Sequence, residues 1–212
     1  MKVRHFTLYI IAWEDRLTRL SLALLLGATA YGIVVGATIT MYYDTVPNMG
    51  ALEDNLGSVQ LILYLLAVIV SLSHLPLALA DVRHSLWKQA SIRALAFIGP
   101  LIVFLGTDGL IAHSLWWLPI SATDRFHMLH HTVFAGLPLT LGYWLLLRGW
   151  WRPAIFQTIA VPSRRVWLVS GIVLVWIVLG VGILFGLVPP ILFGITMIVG
   201  LVALPVIWRV AG

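Results

Sequence analysis

Six apolar runs, separated by short charged connections, account for most of this chain and constrain it more than any motif does. They are Leu20–Tyr42, Val59–Ala80, Ile92–Leu118, His127–Leu147, Val166–Leu187 and Ile191–Ile207. A helix that crosses a bilayer needs about 20 predominantly apolar residues, and each run is close to that length. Water is a poor solvent for the whole: 61% of the 212 residues are hydrophobic and 10% are charged, against about 25% charged in a soluble domain. The sequence therefore predicts an all-α polytopic membrane protein, a bundle of six transmembrane helices. Residues 1–212 form a single helical domain, with 1–19 as a cytoplasmic or interfacial N-terminal segment.

The basic residues give the bundle a direction. Lys2, Arg4, Arg16 and Arg19 precede the first run, and Arg83, Lys88 and Arg93 join the second to the third. Arg148, Arg152, Arg164 and Arg165 join the fourth to the fifth, and Arg209 follows the sixth. Twelve of the thirteen Lys and Arg residues thus share one side. Arg125 falls on the other, together with Asp44, Glu53, Asp54, Asp108 and Asp124. The positive-inside rule makes the first side cytoplasmic, so both termini are expected inside. The net charge of +5 reads as these cytoplasmic flanks, since no basic stripe for nucleic acid is present. The partner implied is the lipid bilayer, and the location a prokaryotic plasma membrane crossed several times.

Local punctuation fits the six spans. Phe6–Trp13 is too short to cross a bilayer and no small-residue cleavage site follows it, so it is expected as a short interfacial helix rather than a removable signal. Pro100 should kink the third span, because it removes one backbone hydrogen bond. Trp116-Trp117 and Trp150-Trp151 resemble interfacial aromatic belts. Pro189-Pro190 makes a tight turn, so the last two spans should pack as an antiparallel hairpin. Gly32-x-x-x-Gly36 and Gly182-x-x-x-Gly186 have the spacing that allows helices to approach closely. No internal repeat or low-complexity stretch stands out.

Chemistry concentrates at the outer end of the third and fourth spans. Asp108 and His113 lie where one leaves the membrane; Asp124, His127, Met128, His130 and His131 lie where the next enters. His127 and His131 are four apart, so a helix places both imidazoles on one face, about one turn apart. Two imidazoles so placed can hold one metal ion. His130 lies near the same edge, Met128 is expected to point elsewhere, and Asp108, His113 and Asp124 could complete the shell or orient the rings. The chain has no cysteine, which removes disulfides, thiolate zinc sites and iron–sulfur clusters. Imidazole suits copper, zinc, iron and nickel alike, while Met41 and Met49 nearby are soft donors that would favour Cu(I). The bland alternative is that these histidines are hydrogen-bonded at an interface or to a neighbouring subunit.

Haem b, held between two helices by facing histidines, is the weaker alternative. Its second ligand would be His74, about 22 Å deep in the second span, whereas His131 is only about 6 Å into the fourth. His74 is expected instead as a lone hydrogen-bonding node, and Asp81-Val82-Arg83-His84 as a solvated helix end. No Gly-x-Ser-x-Gly elbow, phosphate-binding glycine loop or His-Glu-x-x-His motif occurs, so no catalytic residue is assigned. A transporter would usually show a broken-helix pair in corresponding halves; Pro100 and Pro138 could kink spans three and four, but no intramembrane charge pair is expected to support that reading.

The stretch His127-Met128-Leu129-His130-His131, followed by Pro138, resembles the His-Met-x-Gln-His helix of the CtaG-type assembly proteins of bacterial caa3 oxidases and related archaeal membrane proteins. His127, Met128, His131 and Pro138 match, and His130 stands where the family has glutamine; about twelve residues carry the likeness. Such proteins are often longer, with a seventh span. The resemblance implies copper handling on the outer side during assembly of a respiratory oxidase. A looser resemblance is to the copper subunit of membrane monooxygenases, whose Asp-x-x-x-His spacing is not reproduced by Asp108 and His113. A third reading is a non-catalytic subunit of a larger respiratory or photosynthetic complex. The expected metal ligands are His127 and His131, with His130, His113 or Asp108 completing the shell, and the expected partners are other membrane subunits of a respiratory complex.

Overall fold

The structure is a computed structural model that describes residues 2–107, 126–151, 163–184 and 189–210. Every element among them is helical: α1 (Lys2–Tyr42), α2 (Met49–Ser71), α3 (His74–Arg83), α4 (Trp87–Thr107), α5 (His127–His131), a π-helical turn (Thr132–Gly136), α6 (Leu137–Trp150), α7 (Arg164–Leu184) and α8 (Pro190–Val210). Three stretches are long and apolar enough to cross a membrane: Ile10–Tyr42, Met49–Arg83 and Trp87–Thr107. Val166–Gly180 and Gly194–Ala203 are shorter apolar helices. The chain is thus an all-α protein with the helices of a membrane bundle.

Two expectations about boundaries are corrected. The segment Phe6–Trp13 is not a separate interfacial helix, because α1 runs unbroken for 41 residues. No glycine or proline interrupts it before Gly27, so nothing in the backbone ends the helix at Glu14-Asp15-Arg16. The second span also begins ten residues early, since α2 starts at Met49, after Asn48 turns the chain in a left-handed conformation (φ 59°) that asparagine tolerates. Glu53 and Asp54 therefore lie on a helix instead of in a loop. The same span is broken at Leu72-Ser73, after which α3 begins at His74.

The helices gather into two compact units, one of residues 1–74 and 92–157 and another of 75–91 and 158–212. In the first, α1 packs along α2 and against α5 and α6. Gly36 makes this possible: a Cβ there would stand 2.8 Å from the Leu129 backbone nitrogen, closer than atoms can pack. Gly32 likewise faces the Gln60 and Thr132 side chains. Around this joint Ile39, Met49 and Met128 form an apolar cluster flanked by Tyr31, Val35, Tyr43 and Leu56.

Pro100 lies inside α4, where its missing N–H leaves the Ala96 carbonyl without its helical donor. Tyr143 of α6 supplies one, its hydroxyl reaching Ala96 O at 3.2 Å, and Gly99 makes room for the tyrosine ring. In the second unit α7 and α8 pack as the expected hairpin. Trp176 Nε1 donates to Thr196 O at 3.1 Å, and Gly200 faces the Trp176 ring. Gly186, Trp116 and Trp117 lie outside the described residues.

Candidate functional site

At the Tyr42 end of α1, His127 and His131 stand side by side on α5 with ring centroids 4.4 Å apart, edge to face. The helical spacing puts them on one face, and Gly36 holds the α5 backbone against α1. Glu53 of α2, 6% exposed, fixes the start of α5 by accepting the Met128 N–H at 2.8 Å. His127, His131, Glu53, Asp54, Gln60 and Met128 all line one cavity of about 290 Å³. The Met128 side chain belongs to the apolar cluster with Ile39 and Met49. The carboxylate that helps build this end is Glu53, which hydropathy alone assigned to a loop.

His130 faces differently. Its ring lies 4.9 Å from the Phe134 ring and 6.0 Å from that of His131. It is 8% exposed, and neither ring nitrogen has a hydrogen-bond partner among the described residues. Two nitrogens left bare in this way are available to an added donor or a metal. Asp108, His113 and Asp124 fall outside the described residues. Among the described residues no three His, Asp or Glu side chains converge as a metal shell. The expected soft donors are also elsewhere: Met41 is 73% exposed and Met49 sits in the apolar cluster.

Just beyond α5 the helix widens into the π turn Thr132–Gly136, before Pro138. Proline cannot donate to the carbonyl four residues back, and a π turn absorbs that mismatch. The turn presents Thr132, which is fully buried and accepts from Gln60 Nε2 at 2.8 Å. One helical level further along, Thr29 Oγ1 pairs with Tyr64 Oη at 2.8 Å and with Thr140 Oγ1 at 3.0 Å. Such buried polar contacts hold helices together where burial of apolar surface gives no preference between neighbours and lipid.

A second polar constellation occupies the other end of α1, and the sequence reading missed it. Glu14, His74 and Arg93 are 2%, 0% and 0% exposed. Arg93 grips the Glu14 carboxylate with two nitrogens, Nε to Oε1 at 2.7 Å and Nη2 to Oε2 at 2.9 Å. His74 Nδ1 meets Glu14 Oε1 at 3.1 Å, and Nε2 meets Thr18 Oγ1 at 3.1 Å. Arg93, assigned to a cytoplasmic flank, is thus buried in an ion pair. Asp81, assigned to a solvated helix end, is 0% exposed. A buried charge pair, Glu14 with Arg93, thus joins two of the helices that are long and apolar enough to cross a membrane.

His74 is the hydrogen-bonding node expected of it, but in charged company. It stands level with Thr18 of α1 while α5 stands level with Gly36, a separation of about 27 Å along the helix. A haem shared by His74 and His131 does not fit that distance, and a bond from His74 to iron would break one of its two hydrogen bonds. The signal that could have found the site was topological: Glu14, the deep end of the second span and Arg93 were all assigned to one membrane face. Glu14 and Thr18, four apart, also share one face of α1.

Comparison with known proteins finds no matching family model, no similar curated protein and no similar solved structure.

Proposed function

We propose that this chain is a multi-pass protein of a prokaryotic plasma membrane, with six spans and both termini in the cytoplasm, that accepts a transition metal at the α5 end. The cargo is copper, and the handling serves assembly of a respiratory oxidase together with other membrane subunits. The observation that carries this reading is that two imidazoles, His127 and His131, and two carboxylates, Glu53 and Asp54, line one cavity. Imidazole suits copper among the first-row metals.

In this reading His127 and His131 bind the ion and Glu53 holds the helix turn that carries them. A third ligand comes from His130 or from Asp108 and His113. The likeness of His127-Met128-Leu129-His130-His131 and Pro138 to the CtaG-type helix supports the choice of copper and of an oxidase as the eventual recipient.

Elemental analysis after gentle detergent purification tests it. About one copper per chain is expected in the wild type, and loss of it in the His127→Ala/His131→Ala variant with unchanged helix content. Copper retained at full stoichiometry by that variant sinks the assignment. A metal-free wild type that co-purifies at fixed ratio with a respiratory complex replaces it with the structural-subunit reading.

A further inference from the structure

We infer that His74 is a proton-loading site, reached from a groove between α1 and α6 through the hydroxyl of Thr18; this inference stands apart from the metal reading. The argument is a count of hydrogens. Arg93 does not give up its proton and has no acceptor, so both Glu14 oxygens it touches accept, and the carboxylate is an anion. Glu14 Oε1 also faces His74 Nδ1 at 3.1 Å, which therefore carries a hydrogen. Thr18 has one hydroxyl hydrogen and two claims upon it: the Glu14 carbonyl at 2.9 Å and His74 Nε2 at 3.1 Å.

Each choice defines a protonation state. With the Thr18 hydrogen on the Glu14 carbonyl, Nε2 must donate to Thr18 Oγ1, and His74 is an imidazolium. With that hydrogen on Nε2, His74 is neutral, protonated at Nδ1 alone. The two states differ by one proton and one turn of a hydroxyl, with no heavy atom displaced. The charges facing His74 are Glu14 on α1 and, across it, Arg93 on α4. The group is neutral overall when empty and carries one positive charge when loaded.

The groove gives the proton a path. It has a volume of about 380 Å³ and is lined by Thr18, Asp15, Arg19, Arg148, Trp144 and Trp151. Trp151 packs edge-on against the His74 ring at 5.4 Å and is anchored by Nε1 to Asp15 Oδ1 at 3.1 Å. The indole covers the imidazole face, so Thr18 is the polar group that lines the groove and also touches His74. Loading is then a relay. Groove water delivers a proton to Thr18 Oγ1, the original hydroxyl hydrogen passes to Nε2, and the new hydroxyl turns to the Glu14 carbonyl. Unloading is the reverse, so no proton is created or lost.

Nitrogen-15 NMR of the full chain in nanodiscs, labelled at the imidazoles, tests this, with His74 assigned by the signal lost in His74→Gln. Neutral His74 is expected as the Nδ1–H tautomer, opposite to the Nε2–H form that free histidine prefers. It is expected to convert to the doubly protonated form as the pH is lowered. Thr18→Val should slow exchange of the Nε2 proton with solvent by about a hundredfold, the low end of what a positioned proton donor contributes. Thr18→Ser should keep it. An Nε2–H tautomer, failure to gain the second proton as the pH is lowered, or wild-type exchange in Thr18→Val overturns the inference. The tautomer and the titration are read in the wild type, so they decide the matter even where Thr18→Val fails to fold.

Discussion

Replacing Glu14 by glutamine should damage this protein far more than a change of one atom suggests. The carboxylate accepts from Arg93 twice and from His74 once, and Arg93 is 0% exposed. Glutamine offers one oxygen where there were two, and its amide nitrogen must point at a donor. Arg93, fully buried, would lose the carboxylate that two of its nitrogens grip. Removing one partner of such a pair costs about 3–5 kcal/mol. For a chain of this size that is a fall in melting temperature of roughly 10 °C, at about 2–4 °C per kcal/mol.

The companion variant separates a buried charge from mere packing. Glu14→Gln/Arg93→Met removes both charges and keeps an apolar stem in the arginine's place, so it should be milder than Glu14→Gln alone. The coupling in the double-mutant cycle should be about 2 kcal/mol or more. Unfolding in detergent followed by circular dichroism, with all four proteins in the same micelle, supplies the numbers. If Glu14→Gln loses under about 1 kcal/mol, or the two changes add without coupling, the pair does not constrain the fold as argued.

Other changes test individual joints. Gly36→Ala places a Cβ against the Leu129 backbone and should destabilise by about 1–3 kcal/mol, whereas Gly27→Ala, with nothing within 4 Å, should be neutral or slightly stabilising; thermal unfolding compares the two. Tyr143→Phe leaves the Ala96 carbonyl beside Pro100 without its donor, at a cost of about 1–3 kcal/mol read in the same assay. Glu53→Gln keeps an acceptor for the Met128 N–H but removes a charge from the cavity of the histidine pair. It should lower copper affinity measured by competition with a chelator while leaving the melting temperature within about 1–2 °C, the size expected of a neutral substitution that keeps its hydrogen bond.

The difference between what was legible in the sequence and what was not follows from the range of the forces involved. Helices are a local matter: runs of Leu, Ile and Val near 20 residues announce themselves, and so does the α7–α8 hairpin across Pro189-Pro190. The shared face of His127 and His131 is also local, being four residues apart on one helix. Glu14, His74 and Arg93 are separated by 60 and 79 residues, and no local pattern pairs them. Each also had an innocent explanation as a topological flank, because charges near the ends of apolar runs are common in membrane proteins. Glu53 was lost for a related reason. Hydropathy marks where a helix becomes apolar, not where it starts, and α2 begins with two polar turns whose carboxylate is buried by another helix.

That contrast bears on how the two ends of α1 act. At the Gly36 end His127, His131, Glu53 and Asp54 line a cavity, while His130, outside that lining, has two ring nitrogens without a hydrogen-bond partner among the described residues. At the Glu14 end every acceptor on the carboxylate and both nitrogens of His74 are already engaged, so nothing larger than a proton can be taken up without breaking a bond. Between them, on α1, lie Leu25 and Ala28, both 0% exposed, and the Thr29–Tyr64–Thr140 contacts stop short of Thr18 by about three helical turns. Within that interval α1 also buries one hydroxyl, Ser21, which donates to the Ala67 carbonyl at 2.9 Å. The proposed metal site at one end and the proposed proton site at the other share α1, continuous through 41 residues. A change of charge at His74 could then reach the cavity only through movement of α1 against α2. The Gly32 and Gly36 contacts, where the backbones come closest, are where such a movement would be felt first.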